Sequence, residues 1–230
     1  MQALLDRLPS QCLVCRAWPA QPVCDDCVAR FAAPVPRCLR CALPVPPGVR
    51  CCADCVREPP PLDACFAACA YVWPWPECIA DFKFNGDPGL AGPLATLLRS
   101  APWVEPALEE ADLVLPMPLF AGRLRERGFN QAHELARRLA PRKADPGLLR
   151  RVRETAPQSG LARRERLRNL RGAFQLDPRR ADAVRGRRLL LVDDVMTSGA
   201  SLFAAAQVLR AAGAARVGAV VLARTDRPDG

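Results

Sequence analysis

The chain has 230 residues, of which 50% are hydrophobic and 25% charged, and its formal net charge is +9. It contains no apolar run near the roughly 20 residues of a membrane-spanning helix, which excludes an integral membrane protein of that kind. Residues 1–10 include the acidic Asp6 and have no apolar stretch or cleavage pattern, so we expect no secretory signal and a cytoplasmic location.

Cysteine dominates the first 55 residues, which contain nine of the twelve in the chain. Eight of these nine form C-x-x-C pairs, the spacing of a turn that directs two thiolates at one metal ion. The pairs are Cys12 with Cys15, Cys24 with Cys27, Cys38 with Cys41, and Cys52 with Cys55. In a reducing compartment this clustering favours two structural zinc ions, each held by two pairs, over disulfides. Sequential and interleaved pairing are both open, and reduced or redox-active thiols are the alternative.

The other cysteines are predicted to have different roles. Cys51 adjoins Cys52 and would give a C-x3-C spacing, so we do not assign it to a metal site. Cys65, Cys69 and Cys78 lie among apolar residues, which is typical of thiols in a hydrophobic core.

Composition changes at the three prolines of residues 59–61, after which strand-like apolar runs alternate with helical ones. We therefore expect a small domain over residues 1–60 and a larger one over 61–230. Strands are predicted at residues 64–72, 112–117, 188–192 and 217–223. Helices are predicted at residues 90–98, 130–139, 159–174 and 202–212. Because fully apolar strands that alternate with helices form parallel sheets buried on both faces, the predicted fold class is α/β.

Residues 121–190 form an arginine-rich block with 20 basic and 7 acidic side chains, whereas residues 1–120 carry a net charge of −4. An anion such as phosphate, pyrophosphate or nucleic acid is the natural partner of this block. The alternative is a set of solvated helix faces in a chain whose composition favours arginine, since it has 31 arginines and only 2 lysines.

The segment 189–202, LLLVDDVMTSGASL, places two carboxylates and a polar loop between a strand and a helix. Such a loop presents unpaired backbone N–H groups and the positive end of the helix dipole, which suit a phosphate. Asp193 and Asp194 suit vicinal hydroxyls and lie where a magnesium-bound diphosphate would sit. The segment therefore predicts a ribose 5-phosphate site. An acidic strand end followed by a capped helix is the alternative.

This segment also resembles the phosphoribosyl pyrophosphate signature of type I phosphoribosyltransferases, in which two acidic residues precede a T-T-G or T-S-G loop. Further motifs occur in the order found in the ComF/GntX family. They are the cysteine pairs, FKFNGD at 82–87, PMPLFAGRLRERGFNQA at 116–132, RVRETAPQSGL at 151–161, the R-x-x-N-x-x-x-A-F run ending at Phe174, and LAR at 222–224. Serines 198 and 201 replace commoner threonines, and Phe82 replaces a usual leucine.

The resemblance implies a double zinc ribbon over residues 1–60, then a type I phosphoribosyltransferase-like parallel sheet flanked by helices over residues 61–230. It implies structural zinc, magnesium bound with phosphoribosyl pyrophosphate, and a link to DNA uptake in competent bacteria. Asp193 and Asp194 are expected to hold the ribose hydroxyls. The expected ligand contacts also include Val195, Met196, Thr197, Ser198, Gly199, Ala200, Ser201, Pro118 and Leu119.

Arginines are expected to neutralise the pyrophosphate, because guanidinium forks match phosphate oxygens. Arg123 and Arg127 are the expected clamps, and with the two aspartates they make up the predicted catalytic set. Gly128, Phe129, Asn130 and Gln131 are expected to shape the preceding loop and the next helix. His133 is expected to be structural. In the family, Arg151, Arg153, Thr155 and Gln158 correspond to a mobile loop that closes over the substrate, and a basic surface turn is the alternative.

Two functions are compatible with these features. The first is transfer of the phosphoribosyl group to a nitrogen nucleophile whose identity the sequence does not reveal. The second is a binding module, in which the site senses a phosphoribosyl ligand or nucleotide while the ribbons and basic block bind single-stranded DNA or a helicase of DNA uptake. Aromatic residues are only 6% of the chain, which argues against a stacking surface for nucleic acid.

Overall fold

The computed structural model describes residues 10–84, 88–154, 170 and 172–226. Its α-helices are α1 (Asp25–Phe31), α2 (Ala53–Arg57), α3 (Trp75–Phe84), α4 (Ala91–Ser100), α5 (Val104–Glu110), α6 (Ala121–Arg127), α7 (Gln131–Leu139) and α8 (Ala200–Ala211). Its strands are β1 (Ala64–Ala70), β2 (Leu113–Pro116), β3 (Leu149–Arg151), β4 (Phe174–Leu176), β5 (Arg188–Met196) and β6 (Arg216–Arg224). None of the described helices has the length and apolar character that crossing a membrane requires.

A four-stranded sheet in the order β1-β6-β5-β2 forms the centre of the fold, and every neighbouring pair in it is parallel. Val114 of β2 also pairs in parallel with Ala144, so one residue pair continues the sheet beyond β2. Strands β3 and β4 form a separate antiparallel pair. The predicted α/β class with a parallel sheet is confirmed.

Both faces of the sheet are covered, because alternate residues of β5 pack into different cores. Leu189 and Leu191 lie in one core with α8, whereas Leu190 and Val192 lie in the other with α4 and α7. The helices that follow β2 and β5 thus lie on opposite faces. In parallel sheets, a crevice opens at the strand ends where consecutive helices diverge in this way, and ligands bind there.

Most predicted elements are present with shifted ends. The strand predicted at 188–192 continues to Met196, and the helix after it begins at Ala200. The basic helix predicted at 159–174 is wrong at its described end, because Phe174 pairs with Arg151 in the antiparallel β3–β4 ladder. Gly172 has a left-handed φ of +70°, which a continuing helix does not allow, and Phe174 is buried. Residues 159–169 and 171 lie outside the described residues.

The cysteine-rich segment packs directly on the larger part of the chain. The thiols of Cys38, Cys41, Cys52 and Cys55 lie in the same core as α8. The backbone N–H of Cys65 in β1 donates to the carbonyl of Leu39 at 2.7 Å. Farther along, the indole N–H of Trp75 in α3 donates to the carbonyl of Phe31 at 2.7 Å. These contacts join the segment to β1 and to α3.

Candidate functional site

The two carboxylates lie on β5 just past the point where β2 ends. Pro116 of β2 pairs with Val192, and the Met117 N–H donates to the Val192 carbonyl at 2.8 Å. Beyond this point, among the described strands, β5 pairs only with β6, through Asp193, Val195 and Met196. The edge left open by β2 is where the crevice forms, so Asp193 and Asp194 stand at its base.

Neighbouring groups control the charge of this pair. The Lys83 ammonium lies 2.9 Å from Asp194 Oδ2, and the Asp194 side chain is only 4% exposed. Asp193 is half-buried, and burial together with the Asp194 carboxylate raises the pKa of Asp193 to about 8. Lys83 opposes that rise. The pair thus resists carrying two negative charges, and a bound cation or a set of hydroxyl donors would relieve it.

The loop from β5 into α8 takes its shape from Gly199. This residue has φ +80°, and a Cβ there would lie 2.4 Å from Met196 Cε and 2.7 Å from Phe203 Cζ. Only glycine meets both demands, so the loop passes tightly over Met196 and Phe203. Ser198 Oγ accepts a hydrogen bond from the Ala200 N–H at 3.4 Å. Residues 195–202 and Asp193 line a cavity of about 40 Å³ at the start of the 12-residue helix α8.

The loop after β2 forms the other side of the crevice. Pro118 and Leu119 are both half-buried. Asn130 fixes the end of this loop, because its side-chain N–H donates to the Met117 carbonyl at 3.0 Å. Its Oδ1 also accepts the N–H of Ala132 at 2.9 Å, which caps α7. Gly128 ends α6 with φ +78°.

Two predicted arginines, Arg127 and Arg151, interact electrostatically with the carboxylates, and Arg123 lies near both of these arginines. Arg127 donates to Gln131 Oε1 at 2.7 Å and stacks over Phe84, with 5.1 Å between the guanidinium carbon and the ring centroid. Burial lowers the pKa of Arg127, and Asp194 and Asp193 oppose this shift. Burial also lowers the pKa of Arg151, with Arg123 adding to the shift and Asp193 opposing it.

Not every predicted residue reaches the crevice as closely. Arg123 and Arg153 have exposed side chains. Thr155 and Gln158 lie outside the described residues. His133 is half-buried on α7.

The eight paired cysteines form two groups in sequential order. Within each group the Sγ atoms all lie within 4.8 Å of one another. The first group is Cys12, Cys15, Cys24 and Cys27, and the second is Cys38, Cys41, Cys52 and Cys55. Sγ separations of 3.7–3.8 Å fit sulfurs about 2.3 Å from one central ion in a tetrahedron. A hydrogen bond between Cys55 and Cys41 lowers the pKa of the Cys41 thiol to about 5 and raises the pKa of the Cys55 thiol.

The comparisons with known proteins agree with this arrangement. Residues 124–230 match the Phosphoribosyl transferase domain. The chain is 32% identical over 227 residues to DNA utilization protein YhgH of Salmonella typhimurium, an alignment that covers 95% of this chain and 98% of that protein. The chain belongs to the ComF/GntX family. Competence protein F of Haemophilus influenzae is 30% identical over 210 residues, with 88% and 90% covered, and Competence protein ComFC of Bacillus subtilis is 32% identical over 150 residues, with 65% and 59% covered.

Two residues of this ComF/GntX chain were missed as members of the site. Lys83 lies in the FKFNGD motif and pairs with Asp194. Arg224 ends the LAR motif and donates to the carbonyls of Met196 at 3.1 Å and Thr197 at 2.5 Å, at the start of the loop. Both motifs contributed to the family resemblance, but neither was given a role in the site. A charged residue in such a motif was the sequence signal that could have identified Lys83 and Arg224. Cys65, Cys69 and Cys78 are buried outside the two cysteine groups, as predicted.

Proposed function

We propose that the crevice binds phosphoribosyl pyrophosphate with Mg²⁺ and that the chain transfers the phosphoribosyl group to a nitrogen nucleophile. One observation carries the proposal. The Asp193–Asp194 pair stands at an open strand end, directly beside a glycine-shaped loop at the start of α8. N–H groups that can bind an anion thereby lie next to carboxylates that can accept hydrogen bonds from hydroxyl groups. Ribose 5-phosphate needs both, the first for its phosphate and the second for its ribose hydroxyls.

In this proposal the loop of residues 195–201 holds the 5-phosphate. The N–H groups of the first turn of α8 have no partners within the helix, and the helix dipole favours an anion there. The hydroxyl groups of Thr197 and Ser201 add donors, and Thr197 is exposed to an incoming ligand. Asp193 and Asp194 accept hydrogen bonds from the ribose hydroxyls.

The pyrophosphate end lies toward the loop of Pro118 and Leu119. A magnesium ion fits this end, because burial and the Asp194 carboxylate raise the pKa of Asp193 despite the opposing charge of Lys83, and a further cation would stabilise both carboxylates in their charged form. When bound, the ion would neutralise the diphosphate of the leaving group. Arg123 and Arg127 add further positive charge, and Arg127 is held in place by Gln131 and Phe84.

The reaction is a displacement at the anomeric carbon of the ribose. The nitrogen lone pair forms the new C–N bond while the C–O bond to pyrophosphate breaks and its electrons leave with the pyrophosphate. The nitrogen then gives up its proton to solvent. The chain contributes by positioning the reactants and by neutralising the leaving group, so no strong general base is needed. The carboxylates and arginines of the crevice suit these two tasks, because they can position the ribose and neutralise the pyrophosphate.

Turnover is tested by measuring pyrophosphate release from phosphoribosyl pyrophosphate and Mg²⁺ with a panel of nucleobases and amines. We expect release with at least one acceptor and no release in the Asp193→Asn/Asp194→Asn variant. Binding of the ligand without release for any acceptor would contradict transfer and would favour a sensor of phosphoribosyl ligands.

We propose zinc as the ion of both cysteine groups, because four thiolates in a tetrahedron are the ligand set of structural zinc. Metal analysis of the purified protein should find about two zinc ions per chain. Protein that folds without any bound metal would contradict this assignment.

We further propose a cellular role connected with DNA uptake or utilisation, on the ground that relatives are named DNA utilization protein and Competence protein F. Direct contact with single-stranded DNA, or with a helicase of DNA uptake, is the second candidate function, and the basic block of residues 121–190 favours it. A DNA titration across salt concentrations should show affinity that falls steeply with salt. No measurable affinity at low salt would contradict direct DNA binding.

A further inference from the structure

Arg224 connects the second cysteine group to the phosphate loop. Its guanidinium is buried, with the residue only 4% exposed. Nε donates to the Cys41 carbonyl at 2.8 Å, while Nη1 donates to the carbonyls of Met196 and Thr197 at 3.1 and 2.5 Å. One side chain therefore holds the backbone of a cysteine in the second group and the backbone that opens the loop.

These hydrogen bonds set the orientation of the loop. In a planar trans peptide the carbonyl of one residue and the N–H of the next point in opposite directions. Holding the carbonyls of Met196 and Thr197 toward Arg224 thus turns the N–H groups of Thr197 and Ser198 away from it. The Met196 carbonyl is held a second time, by the Thr225 N–H at 3.1 Å. Arg224 thereby fixes the direction of donors that a phosphate would use.

A buried guanidinium also needs negative charge nearby. No carboxylate of the described residues forms an ion pair with Arg224. The guanidinium instead reaches the second cysteine group, where its Nε donates to the Cys41 carbonyl at 2.8 Å. Four thiolates around one divalent ion carry net negative charge, so a filled second cysteine group would supply the balancing charge.

We propose that Arg224 is a positioning residue that couples metal binding at Cys38, Cys41, Cys52 and Cys55 to phosphate binding at the loop. A filled metal group balances the guanidinium charge, and the guanidinium then holds the loop in its ligand-binding shape. The inference rests on the proposed phosphoribosyl site. Coupling is reciprocal, so a phosphate ligand must in turn strengthen metal retention at the second group.

Arg37 offers a matched control. It donates to the Ala42 carbonyl at 3.0 Å in the same ribbon and repels Arg224 electrostatically, but it makes no described contact with the loop. We would compare Arg224→Gln, Arg224→Lys and Arg37→Gln by calorimetric titration with ribose 5-phosphate, measuring zinc content and circular dichroism of each protein. Arg224→Gln should weaken binding about tenfold, a typical coupling factor. Arg224→Lys, which keeps the charge with fewer donors, should fall between it and wild type, and Arg37→Gln should stay within about twofold of wild type.

The second measurement is zinc release to a chelator, with and without ribose 5-phosphate. The ligand should slow the release of one zinc in the wild type, have a smaller effect in Arg224→Lys and have no effect in Arg224→Gln. If Arg224→Gln does not fold, the comparison of Arg224→Lys with the wild type, together with zinc release from the wild type, still tests the coupling. Equal ribose 5-phosphate affinity in wild type and both Arg224 variants, an equal loss in Arg37→Gln, or unchanged zinc release would overturn the coupling. Failure of the wild type to bind ribose 5-phosphate would instead overturn the proposed function itself.

Discussion

The two cysteine groups are alike in local structure but differ in what surrounds them. In each, the third cysteine precedes a short helix, and its N–H donates to the sulfur of the first cysteine. In the first group Cys15 is exposed and Cys24 half-buried, whereas all four cysteines of the second group are buried. The same local motif thus serves as an outer attachment in one place and as part of the main core in the other.

The attachments of the two groups differ in the same way. The first group is joined to α3 through Phe31, whose carbonyl accepts a hydrogen bond from the Trp75 indole. The second group reaches β1 through Leu39 and the loop of residues 195–201 through Arg224. We infer that the contribution of a cysteine group to the stability of the chain depends on the residues packed around it. The local arrangement of its four thiols, which the two groups share, does not determine that contribution.

Removing one ligand from each group should give the largest contrast. Cys55→Ser disrupts a buried group within the core, so we expect the free energy of unfolding to fall by about 3 kcal/mol or more. Cys15→Ser should open the first group locally and leave the midpoint of the main transition near wild type. Urea unfolding followed by circular dichroism measures both, and equal losses would contradict the comparison.

Gly199→Ala should have the next largest effect, because a methyl group would meet Met196 and Phe203 at a positive φ. We expect a loss of about 2 kcal/mol in the free energy of unfolding and weaker binding of ribose 5-phosphate. Gly48→Ala is the control, since Gly48 has φ +81° with nothing within 4 Å of the added methyl group. An equal loss in the free energy of unfolding in the two variants would contradict the predicted clash of the Gly199→Ala methyl group with Met196 and Phe203.

Trp75→Phe should weaken the attachment of the first cysteine group to α3 selectively. It removes the indole N–H that donates a hydrogen bond to the Phe31 carbonyl. A lost hydrogen bond to a buried carbonyl costs about 1 kcal/mol. Zinc release from the first group should become faster, whereas ribose 5-phosphate affinity should not change. A weakened phosphate site in this variant would mean that both ribbons reach the loop.

Asp193→Asn should change the pH dependence of stability. The pKa of Asp193 in the folded chain is raised to about 8, well above its ordinary value. Between those two values the folded state holds a proton that the unfolded state releases, so wild-type stability falls as pH rises through this window. The variant should lose that contribution to the slope in thermal melts from about pH 5 to pH 8. An unchanged slope would contradict the raised pKa.

Much of the candidate site could be predicted from the sequence because it lies in one short segment. The strand, the two aspartates, Gly199 and the helix are consecutive, and their order alone indicates a phosphate loop. Lys83 and Arg224 were not predictable in this way, since Lys83 reaches across to Asp194 and Arg224 bonds a carbonyl 183 residues earlier. The prediction of a helix up to Phe174 was wrong for a similar reason. Phe174 lies in a strand because it pairs with Arg151, which is distant in the sequence.

Calorimetric titration of phosphoribosyl pyrophosphate in the presence of Mg²⁺ tests the central claim most directly. The zinc-loaded wild type should bind one ligand per chain, and the Asp193→Asn/Asp194→Asn variant should lose that binding while keeping both zinc ions and its circular dichroism spectrum. A wild type that shows no binding, or a variant that binds with undiminished affinity, would contradict a phosphoribosyl pyrophosphate site at this strand end.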